Sequence, residues 1–239
     1  MIENKDKNFD DLDAGYPKPF ATIDVVILTL RDGELYVLLM QRKNEPFKEN
    51  WALPGGYIHP QEDLNLDAAA LRILKSKTGI TPPYIEQLGS FGDNERDPRG
   101  WTATFTYFAL VSSETMLLKE GGNAAAVNWF KIDNQEQMTN LAFDHSQIIN
   151  CAVKRLRAKV EYTTLPVHLL SEKFTLPDLQ EVYEQILGRK IDKSAFRKRI
   201  AELDFVEPID GEKRSASNRP AQLYRLKDGF STIFFNRTI

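Results

Sequence analysis

Residues 55–80 read GGYIHPQEDLNLDAAALRILKSKTGI, and this stretch decides the fold of the larger part of the chain. Upstream, Ala52-Leu53-Pro54 runs into Gly55-Gly56, so residues 52–58 read as a short strand broken by glycines, with its backbone bare. Downstream, Leu64, Ala68, Leu71 and Lys75 recur at helical spacing and the alanines at 68–70 favour that state, which predicts a helix over residues 64–78. Gly79 ends it as a left-handed cap and Pro82-Pro83 forbid a restart.

Working outward, residues 20–31 (FATIDVVILTLR) form a β-branched, apolar run, hence a buried strand. Asp32-Gly33 is a hairpin turn, and ELYVLLMQR returns as the partner. After the helix come a strand at 84–91, a polar loop at 92–100 (GDNERDPRG), a strand at 101–111 and another at 126–132. Residues 144–161 read as a long helix capped by Asp144 or Ser146, with Ile148, Ile149, Ala152, Val153, Leu156 and Val160 on one wide apolar face. The order is α+β, with helices flanking a mixed sheet. The rhythm then changes. Thr175 and Asp178 form a capping box for a helix ending at Gly188, and Asp192 or Ser194 opens a second helix. A strand at 205–209, a tip at 212–221 and a returning strand at 222–226 complete the order of a winged helix-turn-helix. Three segments are therefore expected: a flexible arm over 1–18, an α+β domain over 19–161 and a winged-helix domain over 162–239.

The 239 residues are 42% hydrophobic and 27% charged, with a net charge of −3. That composition excludes disordered, collagen-like and mucin-like classes. No run of about 18 apolar residues is present to span a bilayer, and the start of the chain lacks the apolar stretch of a signal peptide. The single Cys151 excludes a disulfide framework and a four-cysteine zinc site; His59, His145 and His168 are too scattered for a histidine metal cluster. A reducing cytoplasm is the expected compartment. Charge is uneven along the chain. Residues 1–160 carry 18 Lys+Arg against 22 Asp+Glu, and residues 161–239 carry 13 against 12. Two basic clusters stand out: Arg189, Lys190, Lys193, Arg197, Lys198 and Arg199 face only Asp192, and Lys213, Arg214, Arg219, Arg225 and Lys227 have no acid among them. Such clusters fit an anionic polymer or, more simply, solvated faces.

The stretch at 55–80 resembles the Nudix box of nucleoside-diphosphate-X hydrolases. Gly56 and Glu62 match its opening, and Arg72, Leu74, Gly79 and Ile80 match its close after two extra residues. The three helix glutamates of that pattern fall here on Ile73, Ser76 and Lys77. Those acids would hold Mg²⁺ against a pyrophosphate; an isoleucine, a hydroxyl and an ammonium do not supply its anionic oxygens, and Lys77 would repel the ion. The expectation is binding without efficient hydrolysis, with no catalytic residue, no metal site and no required cofactor. Hydrolysis through Glu62, Asp63, Asp67 or Glu120 is the alternative reading.

Arg96 and Arg99 in the 92–100 loop offer forked donors suited to phosphate, as does Arg42 at the end of the second strand; an Arg–Asp surface network is the plainer reading of the first two. Phe20, Trp51, Phe91 and Tyr107 are candidates to stack a base, though each suits the core better. A Nudix-like half with FGD and RDPRG, joined to a winged helix with RPAQLYR in its hairpin, is similar to the Nudix-related transcriptional regulators of NAD metabolism, from about Lys18 to Leu226. The resemblance implies an N-terminal Nudix-like α/β/α sandwich with a mixed sheet and a C-terminal winged helix-turn-helix. It implies a bacterial repressor of NAD biosynthesis and salvage genes, with ADP-ribose or a related NAD-derived nucleotide as the effector that releases DNA. A homodimer on a palindromic operator, and no membrane, complete that expectation. The expected ligand-binding residues are Arg42, Gly55, Gly56, Glu62, Arg72, Asp93, Arg96 and Arg99. The alternative function is an active Mg-dependent ADP-ribose pyrophosphatase with an accessory winged helix.

In the second helix of the C-terminal part, Phe196, Ile200 and Leu203 fall on the inward face. Lys193, Ser194, Arg197 and Lys198 lie elsewhere, suited to phosphates and guanine edges in a major groove. The hairpin tip offers Arg214, Ser217, Asn218 and Arg219, with Pro220 fixing the geometry after Arg219. A winged helix that binds protein instead is the rival reading.

Overall fold

The computed structural model describes residues 18–115, 124–134, 138, 140–215 and 220–235. The expected arm at 1–18 lies outside them except for Lys18. Seven strands form one sheet: β1 (Phe20–Arg31), β2 (Glu34–Arg42), β3 (Trp51–Ala52), β4 (Gly55–Tyr57), β5 (Tyr84–Asp93), β6 (Thr102–Leu110) and β7 (Ala124–Lys131). The order is β3-β2-β1-β6-β5, with β4 paired to β1 and β7 to β2. The sheet is mixed, since β1 runs parallel to β6 and antiparallel to β2 and β4.

The apolar run Val25–Leu28 within β1 follows from burial on both faces. Ile23, Val25 and Ile27 point to helix α1 (Leu66–Thr78), where they meet Ala69, Ala70, Ile73 and Leu74. Val26 and Leu28 point the other way, to Ile148, Ile149 and Ala152 of helix α2 (His145–Val160). The α/β/α sandwich is thus written in a period-two pattern. Helix α1 starts two residues later than expected because the Asn65 side chain accepts from the Ala68 N–H at 2.8 Å, and it ends at Gly79 with φ 72°.

The C-terminal part holds helix α3 (Leu176–Leu187), helix α4 (Lys193–Leu203) and the hairpin β8 (Val206–Arg214) and β9 (Ala221–Leu226). The capping box forms as read, with Thr175 and Asp178 bonding reciprocally at 2.8 and 3.2 Å. Asp192 opens α4 by accepting from the Ala195 N–H. Strand β8 runs five residues past the expected 209, through a register shift that Gly211 permits at φ 75°.

The passage between the halves is not an exposed linker. Thr163 and Thr164 are fully buried, the Tyr183 hydroxyl donates to the Thr163 carbonyl at 2.7 Å, and Thr163 bridges to Phe234. The apolar body beneath α2 continues through Leu165 and Phe174 to Tyr183, Phe196 and Phe205 of the winged helix. His168 sits in this seam between the rings of Tyr84 and Phe230, with neither ring nitrogen bonded among the described residues. Burial pushes its pKa down to about 4. No helix among the described residues is long and apolar enough to cross a membrane.

Candidate functional site

One open cleft of roughly 400 Å³ lies where β1, β2 and β4 meet the 93–100 loop and the start of α2. Its floor is a cluster of buried charges. Asp24 on β1 shows 7% exposure, and the Arg96 Nη2 stands 3.4 Å from its Oδ2. The same guanidinium grips Asp144 with two bonds, Nε to Oδ2 at 3.0 Å and Nη2 to Oδ1 at 2.8 Å. Asp144, expected to cap α2, makes no side-chain cap because its carboxylate serves Arg96 instead. The Leu53 N–H donates to His145 Nδ1 at 2.8 Å, which places the ring proton on Nε2, 3.6 Å from Asp24 Oδ1. Burial pushes the Asp24 carboxyl up, but His145 and Arg96 outweigh it and hold it below the ordinary value.

Gly55 makes this floor possible. A Cβ built there would stand 2.0 Å from Asp24 Oδ1 and 2.9 Å from the Ile23 carbonyl oxygen. Gly56 has more room, its nearest neighbour being Ile73 Cδ1 at 3.6 Å. On the rim, Arg99 is held by Asp97 through bonds of 2.9 and 2.7 Å and lies 5.9 Å from the Tyr57 ring centroid. Arg42 donates from Nε to the Pro46 carbonyl at 2.7 Å and lies 4.7 Å from the centroid of Phe143. Desolvation, the largest cause, and the nearby Arg99 lower the Arg42 pKa against the opposing pull of Asp97, Asp24 and Glu45. Phe143 itself has φ 56°, an uncommon backbone state for an aromatic residue.

Of the expected ligand residues, Arg42, Gly55, Gly56, Arg96 and Arg99 line this cleft; Glu62, Arg72 and Asp93 do not. Glu62 is exposed and contacts His59 Nδ1 at 3.1 Å. Arg72 binds Asp63 at 2.6 and 2.8 Å and the Tyr57 carbonyl at 3.0 Å, so it pins the 57–63 loop to α1. Asp93 accepts from the backbone N–H groups of Glu95 and Arg96, each at 2.7 Å, and shapes the loop that delivers Arg96. Sequence reasoning misses Asp24, Asp97 and His145 as cleft residues, because an acid in an apolar strand and a histidine 121 residues away give no joint signal in sequence. Of the candidate stacking rings, Phe20 packs edge-on to Tyr57, Trp51 packs on Phe130, and Tyr107 is buried with its hydroxyl on Asp67.

The Mg²⁺ that this fold implies finds no fitting donor set. Ile73 is 1% exposed in the core, the Ser76 hydroxyl donates to the Ile73 carbonyl, and Lys77 reaches the cleft wall. Asp63 is taken by Arg72 and Asp67 by Tyr107; Glu120 lies outside the described residues. Among the described residues no group of three His, Cys, Asp or Glu side chains is placed to hold a metal.

The second candidate surface is the first half of α4. Lys193, Ser194, Arg197 and Lys198 are exposed, and none of their side chains has a hydrogen bond or ion pair among the described residues. The hairpin differs from its charge count. Arg214 pairs with Asp178 at 2.7 Å, Arg225 with Glu207 at 2.8 Å and Lys227 with Asp204 at 2.7 Å, since folding brings acids from distant segments. Ser217, Asn218 and Arg219 lie outside the described residues.

Residues 18–152 match the NUDIX domain family, and residues 166–226 match the NrtR DNA-binding winged helix domain. The chain is 44% identical over 210 residues to the ADPR responsive transcriptional repressor NtrR of Acinetobacter baylyi, covering 88% of this chain and 83% of that one. It is 33% identical over 135 residues to an ADP-ribose pyrophosphatase of Methanocaldococcus jannaschii, covering 56% of this chain and 73% of the relative. Shewanella oneidensis NrtR, crystallised with a 27mer DNA, superposes with TM-score 0.82 at 42% identity, over 92% of this chain and 99% of that one. The NUDIX domain of the same protein, crystallised with ADP ribose, superposes with TM-score 0.55 at 42% identity, over 60% of this chain and 92% of that one.

Proposed function

Because the chain belongs to the NrtR family, with a NUDIX domain followed by an NrtR DNA-binding winged helix domain, we propose that it is a cytoplasmic bacterial repressor of NAD biosynthesis and salvage genes. ADP-ribose enters the cleft, is left uncut, and releases the protein from DNA. Arg42, Arg99 and the Gly55-Gly56 backbone face the nucleotide. Lys193, Ser194, Arg197 and Lys198 face DNA. Two copies read a palindrome with half-sites about one or two turns apart.

The observation that carries this reading is the position of Arg96. It lies in the cleft floor and holds Asp144, the residue from which α2 starts, and the apolar body beneath α2 continues into the winged helix. A nucleotide that draws on Arg96 therefore acts on the element that carries the DNA-reading half. A preference for the unbound placement of about 1–3 kcal/mol is enough for derepression. Anisotropy of a labelled duplex from the promoter beside its own gene tests this. Tight, salt-sensitive binding that ADP-ribose weakens supports it; binding indifferent to ADP-ribose rejects it.

The second reading, a Mg-dependent ADP-ribose pyrophosphatase, is favoured by the Methanocaldococcus relative. It is opposed by Ile73, Ser76 and Lys77 at the metal-holding positions of the box. Rapid release of AMP and ribose phosphate from ADP-ribose with Mg²⁺ would establish it.

A further inference from the structure

Resting on the reading that the cleft takes a nucleotide diphosphate, we propose that Lys77 stands in for the missing divalent cation: its ammonium neutralises the diphosphate, so that binding needs no metal. Lys77 sits in the last turn of α1 and lines the cleft together with Gly55 and Gly56. It is half-buried, and its ammonium makes no hydrogen bond or ion pair among the described residues. Of the other cations of the cleft, Arg96 is ion-paired with Asp24 and Asp144 and Arg99 with Asp97, Lys43 has a partner, and Arg42 is held to the Pro46 carbonyl through Nε alone. An uncommitted ammonium at a cleft wall is a ready partner for an entering anion, because no existing ion pair must break first.

The chemistry fits a diphosphate better than a carboxylate. A carboxylate takes a planar guanidinium fork well, whereas an ammonium is a compact point charge that can sit between phosphate oxygens of two neighbouring groups. By the resemblance of residues 55–80 to the Nudix box, Lys77 also occupies one of its three helix glutamate positions. A cation there serves the same oxygens from the same side. It cannot lower the pKa of a water or stabilise a leaving phosphate as Mg²⁺ does, so the ligand is retained rather than cleaved.

Calorimetry of the full chain with ADP-ribose, in EDTA and in millimolar Mg²⁺, tests the proposal. The wild type is expected to bind with the same affinity, within about twofold, in both buffers. Lys77→Met is expected to lose affinity about tenfold or more in both, the size of a lost charge-assisted bond. Lys77→Arg is expected to keep most of it, and an unchanged unfolding midpoint shows that each variant is folded. Should Lys77→Met fail to fold, Lys77→Gln carries the same comparison. Wild-type affinity in a folded Lys77→Met, or wild-type binding that depends on Mg²⁺, overturns the role of Lys77 while leaving ADP-ribose as the ligand. No binding by the wild type in either buffer overturns the ligand reading itself.

Discussion

Arg96 and Asp144, 48 residues apart in sequence, meet in a two-pronged ion pair of 2.8 and 3.0 Å at the floor of the cleft. The Arg96 side chain is 3% exposed and that of Asp144 is 16% exposed. The pair joins the 93–100 loop beside the cleft to Asp144, the residue from which α2 starts. Removing the Asp144 charge leaves the buried Arg96 guanidinium with Asp24 alone, 3.4 Å away, at a cost of about 1–3 kcal/mol. Asp144→Asn is therefore expected to lower stability by about that amount in a urea titration. It is also expected to blunt the effect of ADP-ribose on DNA affinity in the anisotropy assay. A variant that responds to ADP-ribose as the wild type does would remove Asp144 from the coupling.

Neighbouring glycines are expected to behave differently. Gly55→Ala puts a carbon 2.0 Å from the Asp24 carboxylate and displaces it from a packed, charged site, for about 3 kcal/mol of lost stability. Gly56→Ala meets Ile73 at ordinary contact distance and should change stability by less than about 1 kcal/mol. Denaturant unfolding of the two single variants decides this; equal midpoints would show that the close approach at Gly55 is not what fixes the residue.

On α4, replacing Lys193, Arg197 or Lys198 by alanine is expected to weaken duplex binding and to reduce the salt slope by about 0.9 for each phosphate that is no longer neutralised. Arg225→Ala serves as the contrast, since that guanidinium is already engaged with Glu207 at 2.8 Å. ADP-ribose affinity should be unaffected in all four. If Arg225→Ala flattens the salt dependence as much as the α4 variants do, the DNA-reading face lies elsewhere.

Acid should loosen the seam through His168. Its folded pKa, about 4, lies below the ordinary value of 6.5, so the unfolded chain takes up the proton first. The stability that neutral His168 supports is fully present above pH 6.5 and falls as pH drops through the window down to 4, by up to about 1.4 kcal/mol per pH unit. His168→Phe keeps an aromatic ring between Tyr84 and Phe230 and should flatten that slope. Urea titrations at several pH values across this range check it; parallel slopes in both proteins would assign the acid sensitivity elsewhere.

What the sequence made legible follows from local physics. The β1 run, the Gly79 stop and the Thr175–Asp178 box are each set by neighbours a few residues away, and the structure keeps them. The composition of the cleft was legible only in part. Gly55 and Gly56 announce themselves as bare backbone in a short strand and Arg99 by its type in a polar loop, but Asp24 is hidden inside an apolar strand and His145 lies at the start of a helix far along the chain. Charge counts misled for a related reason. Arg214 looks unopposed among its sequence neighbours, yet the fold sets it against Asp178, 36 residues back.

The buried passage through Thr163 and Thr164 bears on how an operator would be read. On the two-copy reading proposed above, with no slack tether between the two parts of the chain, the reach between the two winged helices would be fixed through the protein body. One base pair added between half-sites rotates the second by roughly 34° on a duplex of about 10.5 base pairs per turn. A stiff caliper cannot follow that rotation, so the spacer length of the operator should matter as much as the bases at its ends.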